Sequence, residues 1–466
     1  MTLSALFIGN ESLLVQCAEH WRGRGHHIAA IVTRNAEVRR WAEGAGVRVE
    51  AQAPGHAERL ADVGYDWLFS VANLNLVPDA LLRQARNGAI NFHDGPLPRH
   101  AGLNAPVWAI LEGEAQHGIT WHLIEGGIDE GDILEQRLFP IAPGETALTL
   151  NTKCFEAAID SFGPLVAQLE SGAPRRQPQD LSQRSYHARD DRPRAAARLD
   201  FSQPANRLLA LVHALDHGSY ANPLALPKIE ANGRIVTVSA AEPAEGHGAP
   251  GQVLGVDQAG LTVACGQGAV TLRGLRDLPG AVCPLTLAKV GDVLPLLTAT
   301  DAARIDAAIA AVTPAEGATR RALRELIPAE VPMTAAATVP DWQVLPLDDP
   351  GLAAIALWAC RLTAREAVDL ALHDARLPQA PGYVTPWAPL RVTEAGPNQM
   401  TTRAPGFAAD LPLRDPAIGA VTMPQIVLAS GTDAPVDGAV ITLTATGFHY
   451  DAARLNPVYA RILHAR

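Results

Sequence analysis

Strand-length apolar runs alternate with amphipathic stretches through the first part of the chain. Residues 3–8 are apolar, Gly9-Asn10-Glu11-Ser12 breaks the run, and a helical period then reaches Trp21, which reads as strand, turn, helix. Further strands are predicted at 26–33, 47–51 and 66–72, and helices at 36–44 and 78–86. Strands that alternate with helices need right-handed crossovers, so the expected fold class is α/β, a Rossmann-like domain with a mostly parallel sheet. Gly9 invites a dinucleotide-binding reading. The run to Ser12 lacks the second and third glycines that let a backbone approach a pyrophosphate, so a tight strand-to-helix turn is the better expectation.

The pattern changes further on. Residues 146–169 carry a helical period that stops at Gly172-Ala173-Pro174. Arginines then cluster among prolines in 171–200, which reads as a solvated interdomain linker. Beyond it a helix is predicted at 204–215. Short β segments follow at 234–239, 251–256, 261–265 and 269–275, and their Gly-rich turns suggest a small barrel. From about residue 301 the chain turns to Ala-rich helices and then to mixed segments. The expected domains are therefore 1–174, a linker at 175–200, 201–300 and 301–466.

Composition narrows the class. A chain of 466 residues, 48% hydrophobic and 19% charged, has material for several buried cores. The formal net charge of −11 offers no electrostatic case for sequence-independent nucleic-acid binding. Cys17, Cys154, Cys265, Cys283 and Cys360 show no Cys-x-x-Cys pair and are expected reduced. His100, His117 and His122 lack metal-ligand spacing on one helix face, so no metal is expected. No run approaches the ~18 apolar residues of a membrane-spanning helix, and the first residues carry no basic leader. A cytoplasmic protein without a membrane partner is the expectation.

Candidate chemistry concentrates in residues 88–136. Ala89, Ile90 and Phe92 read as a short buried strand interrupted by Asn91 and His93, which alternate onto one face just before Asp94-Gly95-Pro96 ends it. The carboxyl end of a strand is where open α/β sheets place their ligand crevice. An Asn amide can donate to a developing oxyanion, and a histidine can carry a proton near neutral pH. Asp129, in Gly-Gly-Ile-Asp-Glu-Gly after a second strand-like run at 119–124, is the candidate carboxylate. On spacing alone an alternative stays open, in which Asn91 and His93 satisfy turn groups and Asp129 is a solvated turn residue. Asn104 is expected to cap a helix carrying Trp108, Ile110 and Leu111, with Trp108 in the core; His117 and His122 are expected on strand surfaces or in satisfied turns.

The ordered motifs Asn91-Phe-His93, Leu97-Pro98-Arg99-x-x-Gly102, Trp108-Ala-Ile110, Gly118-Ile-Thr120 and Ile128-Asp129-x-Gly-Asp-Ile-Leu-x-Gln136 resemble those of the 10-formyltetrahydrofolate-dependent formyltransferases. The resemblance implies an N-formyltransferase with 10-formyltetrahydrofolate as co-substrate and Asn91, His93 and Asp129 as catalytic residues. It implies a pterin pocket at Leu74, Leu76, Val77, Leu82 and Ile128. Residues 201–300 look like the OB-like C-terminal domain of methionyl-tRNA and sugar formyltransferases, notably in Asn222-Pro223 and Pro250-Gly-Gln-Val-Leu254. Residues 353–363, 383–393 and 442–463 faintly resemble a nonribosomal peptide synthetase condensation domain. Its His-His-x-x-x-Asp-Gly signature is absent, which implies a non-catalytic remnant.

Methionyl-tRNA formyltransferases carry a basic insertion after the second strand, whereas Thr33-Arg34-Asn35-Ala36-Glu37 runs straight into the next helix. With Asp94 to Arg99 and Gln179-Asp180-Leu181-Ser182, the first domain is similar to the formylation domains of nonribosomal peptide synthetases. The implied acceptor is an aminoacyl group on a carrier protein, with a carrier protein or adenylation module as partner and nucleic acid unexpected. A free small amine such as an amino-sugar nucleotide, a non-catalytic docking module and a folate hydrolase are the alternatives.

Overall fold

The computed structural model describes residues 2–258, 260–283, 287–331, 339–345, 351–394, 396–397, 406–455 and 458–459. They divide into two compact units, Met1–Asp191 with His213–Asp216, and Arg192–Val212 with His217–Arg466.

The first unit is built on β1 (Ser4–Ile8), α1 (Ser12–Gly23), β2 (His27–Thr33), α2 (Ala36–Gly44), β3 (Val49–Ala51), α3 (His56–Arg59), β4 (Tyr65–Ser70), α4 (Asp79–Gln84) and β5 (Ala85–His93). After them come β6 (Ala101–Gly102), α5 (Ala105–Glu112), β7 (Gln116–Leu123), β8 (Ile133–Pro140), α6 (Ala147–Glu170) and β9 (Tyr186–His187). The main sheet runs β3-β2-β1-β4-β5-β7-β8, parallel from β3 to β5 and antiparallel through β7 and β8. The expected mostly parallel α/β sheet is therefore the observed one.

Both faces of its centre are covered, so the strands are apolar on both sides rather than alternating. Phe7 and Phe69 stack on one face, centroids 4.9 Å apart, with Trp21 and Phe162 beside them; Leu6, Ile8 and Leu68 fill the other. Helix α6 starts at a capping box between Thr146 and Thr149 and lays Cys154, Ala158, Phe162, Leu165 and Leu169 against the first face, a helical stripe of apolar side chains. Gly9 is dictated by packing: a Cβ there would lie 2.0 Å from the Val71 carbonyl oxygen. No described helix is long and apolar enough to cross a membrane.

The stretch read as a linker behaves differently in its first half. Gln177 exchanges backbone hydrogen bonds with Ile133, and β9 pairs in parallel with β6, so residues 177–187 belong to the first unit; the units divide after Asp191. The prolines and arginines suggested a solvated connector because nothing local announces these long-range pairings.

In the second unit, Lys228–Ala231, Arg234–Thr237 and Arg276–Asp277 form one antiparallel sheet. Ala240–Ala244, Ala269–Arg273, Gly260–Ala264 and Val253–Asp257 form another, and Val236, Val253, Val263 and Leu272 share their core. A seven-stranded mixed sheet spans Trp342–Leu345 to Phe448–Asp451, and helix Gly351–Thr363 buries Ile355, Ala359 and Cys360 against it. Part of the 442–463 resemblance, at 456–457 and 460–463, lies outside the described residues. The expected boundary at residue 300 falls inside this unit. Buried Lys228 pairs with Asp410 at 2.6 Å, so a buried ion pair ties the sequence on either side of that boundary together.

Candidate active site

Strand β5 carries Asn91 and His93 to its carboxyl end, where antiparallel pairing sets Asn91 opposite His122 and His93 opposite Thr120 of β7. The turn that follows is tight. A Cβ on Gly95 would lie 2.6 Å from His93 Nε2, and Thr120 Oγ1 holds the turn by donating to the Gly95 carbonyl at 2.8 Å and accepting from the Leu97 amide at 3.1 Å.

Asp129 arrives from the β7–β8 connection, in a left-handed conformation with φ of 56°. Its Oδ2 lies 3.6 Å from His93 Nδ1 and its Oδ1 3.4 Å from His122 Nε2. The first separation is that of an ion pair rather than a hydrogen bond. The Gly102 amide donates to Oδ2 at 2.8 Å. Asn91 Nδ2 stands 3.2 Å from His122 Nε2. The three expected residues therefore converge, and His122 joins them as a fourth, 2% exposed. That corrects its expected place among strand-surface or turn histidines: the cross-strand register aims it at Asn91, which only pairing reveals.

Tautomers follow from the carbonyls. His93 Nε2 lies 2.8 Å from the His100 carbonyl oxygen and His122 Nδ1 lies 2.9 Å from that of Leu123. A carbonyl only accepts, so those nitrogens carry the protons, and His93 Nδ1 and His122 Nε2 are left facing the Asp129 carboxylate. Burial works against a charged Asp129. The His93 imidazole, the hydrogen bond and charge of His122 and the Gly102 amide outweigh it and hold the carboxyl well below the usual carboxylate range. Asp94 moves the other way, raised by burial, with His93 opposing and Asp129 adding to the rise. Two neighbouring carboxyls pushed apart are a common feature of acid–base sites. Burial lowers His100 to about 3 and His117 to about 4, with neighbouring imidazoles adding to both.

Residues beyond the expected domain end hold this site. Gln179 Nε2 donates to the carbonyl oxygens of Asp129 at 2.9 Å and Gly131 at 2.7 Å, Arg184 donates to the Ile128 carbonyl at 2.9 Å, and Arg189 to that of Leu74 at 3.3 Å. Gln179 was visible only as part of a motif; its contact with Asp129 spans fifty positions.

The residues expected around a pterin are placed less uniformly. Leu74 and Leu76 are 70% and 82% exposed and Ile128 is 44% exposed, an unusual solvation for such side chains. Val77 and Leu82 are half-buried against the Leu6 and Ile8 side of the core. Between the two leucines, Asn75 Nδ2 is buried without a hydrogen-bond partner. Exposed apolar walls around an orphaned donor suit a flat heteroaromatic ring with acceptor atoms at its edge.

Two expectations on α5 change. Asn104 takes a left-handed conformation and its side chain makes no capping hydrogen bond. Trp108, expected in the core, is half-buried, and its ring stacks on His187 at 4.6 Å and 6° because β9 lies over it.

Against known proteins, the formyl transferase family matches residues 9–162 and the formyl transferase C-terminal domain matches residues 193–285. The methionyl-tRNA formyltransferase of Pseudomonas syringae pv. syringae (strain B728a) is 34% identical over 227 residues, covering 49% of this chain and 69% of the relative. That of Thiobacillus denitrificans (strain ATCC 25259 / T1) is 33% identical over 258 residues, 54% of this chain and 80% of the relative. Among solved structures, a HypX variant from Aquifex aeolicus superposes with a TM-score of 0.46 at 20% identity, over 61% of this chain and 47% of that one. The N-formyltransferase from Helicobacter canadensis, in complex with folinic acid and dTDP-3-aminofucose, gives 0.48 at 16% identity, over 59% of this chain and all of that one.

Proposed function

This chain belongs to the formyltransferase family, and from that premise we propose that Asn91, His93 and Asp129, with His122, carry the transfer of a formyl group to an acceptor amine. It is an N-formyltransferase that uses 10-formyltetrahydrofolate, which supplies the formyl carbon on N10. The observation that carries the assignment is the Asp129 carboxylate lying 3.6 Å from one imidazole and 3.4 Å from the other, beside the Asn91 amide at the carboxyl end of β5. Leu74, Leu76, Val77, Leu82 and Ile128 are assigned to the pterin, with Asn75 Nδ2 free to donate to the ring edge.

The reaction forms a bond between the acceptor nitrogen and the formyl carbon and breaks the bond from that carbon to N10, and the amine proton leaves as N10 gains one. Asn91 has two amide hydrogens. One faces His122, and the other is available to the oxyanion that develops on the formyl oxygen. His93, whose Nδ1 lies 3.6 Å from the Asp129 carboxylate, is placed to carry the proton between the two nitrogens. Asp94, with its Oδ1 3.9 Å from His93 Nδ1, is a second carboxyl beside that imidazole.

For the acceptor we favour an aminoacyl group on a carrier protein. Support comes from the short β2–α2 connection, where Asn35 caps α2 and leaves no room for a basic arm, and from the net charge of −11. Residues 301–466, read as a condensation-domain-like remnant, would connect such an enzyme to its assembly line. The methionyl-tRNA formyltransferase relatives favour aminoacyl-tRNA as the second reading. Purified protein with 10-formyltetrahydrofolate is offered an aminoacyl carrier protein, an aminoacyl-tRNA and an amino-sugar nucleotide separately, and the products are weighed by mass spectrometry. Formylation of the carrier-bound amine is expected. Formylation of only the tRNA or the sugar overturns the acceptor, and formylation of none overturns the assignment of the reaction to this site.

A further inference from the structure

Behind the catalytic side chains lies a second group of ligating atoms that formyl transfer does not use. His100 comes from the turn after β5, Glu112 from the last residue of α5 and His187 from β9, and their donor atoms all lie within 4.8 Å of one another. His187 Nε2 is already 3.4 Å from Glu112 Oε1, close to the ~3.4 Å that separates two donors sharing a tetrahedral ion at ~2.1 Å from each. Glu114 stands behind them, its Oε1 3.7 Å from His100 Nε2, and it also neutralises Arg99.

A second observation points to a ligand. His100 is 1% exposed and both of its ring nitrogens lack hydrogen-bond partners; His187 Nε2 is buried and lacks one too. Burying a polar group without a partner costs about 1–3 kcal/mol, so three orphaned nitrogens in one cluster call for an unseen partner. Two imidazoles and a carboxylate from three chain segments make a donor set that a borderline metal ion satisfies together.

We propose that His100, Glu112 and His187 bind a divalent transition-metal ion of the zinc class, with Glu114 or a water completing the shell. The site is structural. It fastens β9 to the turn ahead of β6, and that same backbone holds the active site: the His100 carbonyl accepts from His93 and the Gly102 amide donates to Asp129. Sequence spacing alone argued against a metal, because these ligands are 12 and 75 positions apart and meet only when β9 pairs with β6.

The test uses the full chain stripped with a chelator and titrated with Zn²⁺ alone by calorimetry, with metal content measured after gel filtration. One equivalent is expected to bind and to raise the thermal midpoint. Co²⁺ in its place is expected to give the visible bands of a four- or five-coordinate N/O site. His187→Ala and Glu112→Gln, each checked for an unchanged circular dichroism spectrum, are expected to weaken Zn²⁺ binding at least tenfold and to abolish the midpoint rise. Retention of parental affinity in both variants, or no Zn²⁺ bound by the parent, overturns the proposal. If His187→Ala fails to fold, Glu112→Gln, whose side chain is partly exposed, decides alone.

Discussion

Asp129→Asn removes one charge and almost no volume, so it isolates the electrostatics of the site. The amide can still accept from Gly102, which keeps the turn anchored. What disappears is the attraction between a carboxylate and two imidazoles at 3.6 Å and 3.4 Å. At an effective dielectric constant of ~20, a full charge pair at that separation is worth about 4–5 kcal/mol. Only the share that grows toward the transition state slows the reaction. Taking between half and nearly all of it gives a fall in kcat of about 10²- to 10³-fold. The assay is steady-state formylation of the best acceptor, with folate binding measured separately and expected to change little. Stability supplies the control. Asp129 in the folded protein sits below its unfolded value, so its contribution is fully present above about pH 4 and is lost as the pH falls toward the folded value. The variant should therefore lose stability at neutral pH and show a flatter decline in acid. A folded Asp129→Asn enzyme with kcat within tenfold of the parent would refute the reasoning.

Asn91→Ala should cost about 10²- to 10³-fold in kcat by removing an oxyanion donor, with Phe92 and Ile90 keeping the strand in place; initial rates at saturating folate check it. Gln179→Ala frees the Asp129 turn without touching substrate, so kcat should fall about 10- to 100-fold while the KM for the folate and the thermal midpoint stay near the parent's, and partial recovery in Gln179→Asn would mark positioning rather than folding. Asp410→Asn leaves Lys228 buried without its counter-charge and should destabilise the second unit by about 3–5 kcal/mol in chemical denaturation. Burial already lowers Lys228, with Arg414 adding and Asp410 opposing, so this loss should shrink as rising pH lets the amine shed its proton.

The alternation of apolar runs and helical periods was enough to read the α/β architecture, because a sheet covered on both faces needs strands such as β1 and β4 to be apolar throughout. Strand periodicity puts Asn91 and His93 on one face, the motif resemblance added Asp129 to them, and the folded chain brings the three side chains together. What tertiary structure alone decided is which distant groups meet. His122 joins the site through the β5–β7 register, Gln179 holds Asp129 from a stretch that reads as a linker, and Trp108 faces His187 rather than the core. Composition and periodicity report how a residue relates to its near neighbours in sequence. The partners of His122, Gln179 and Trp108 are brought to them by strand pairing and by the backbone's need to satisfy its buried polar groups, and neither leaves a local trace.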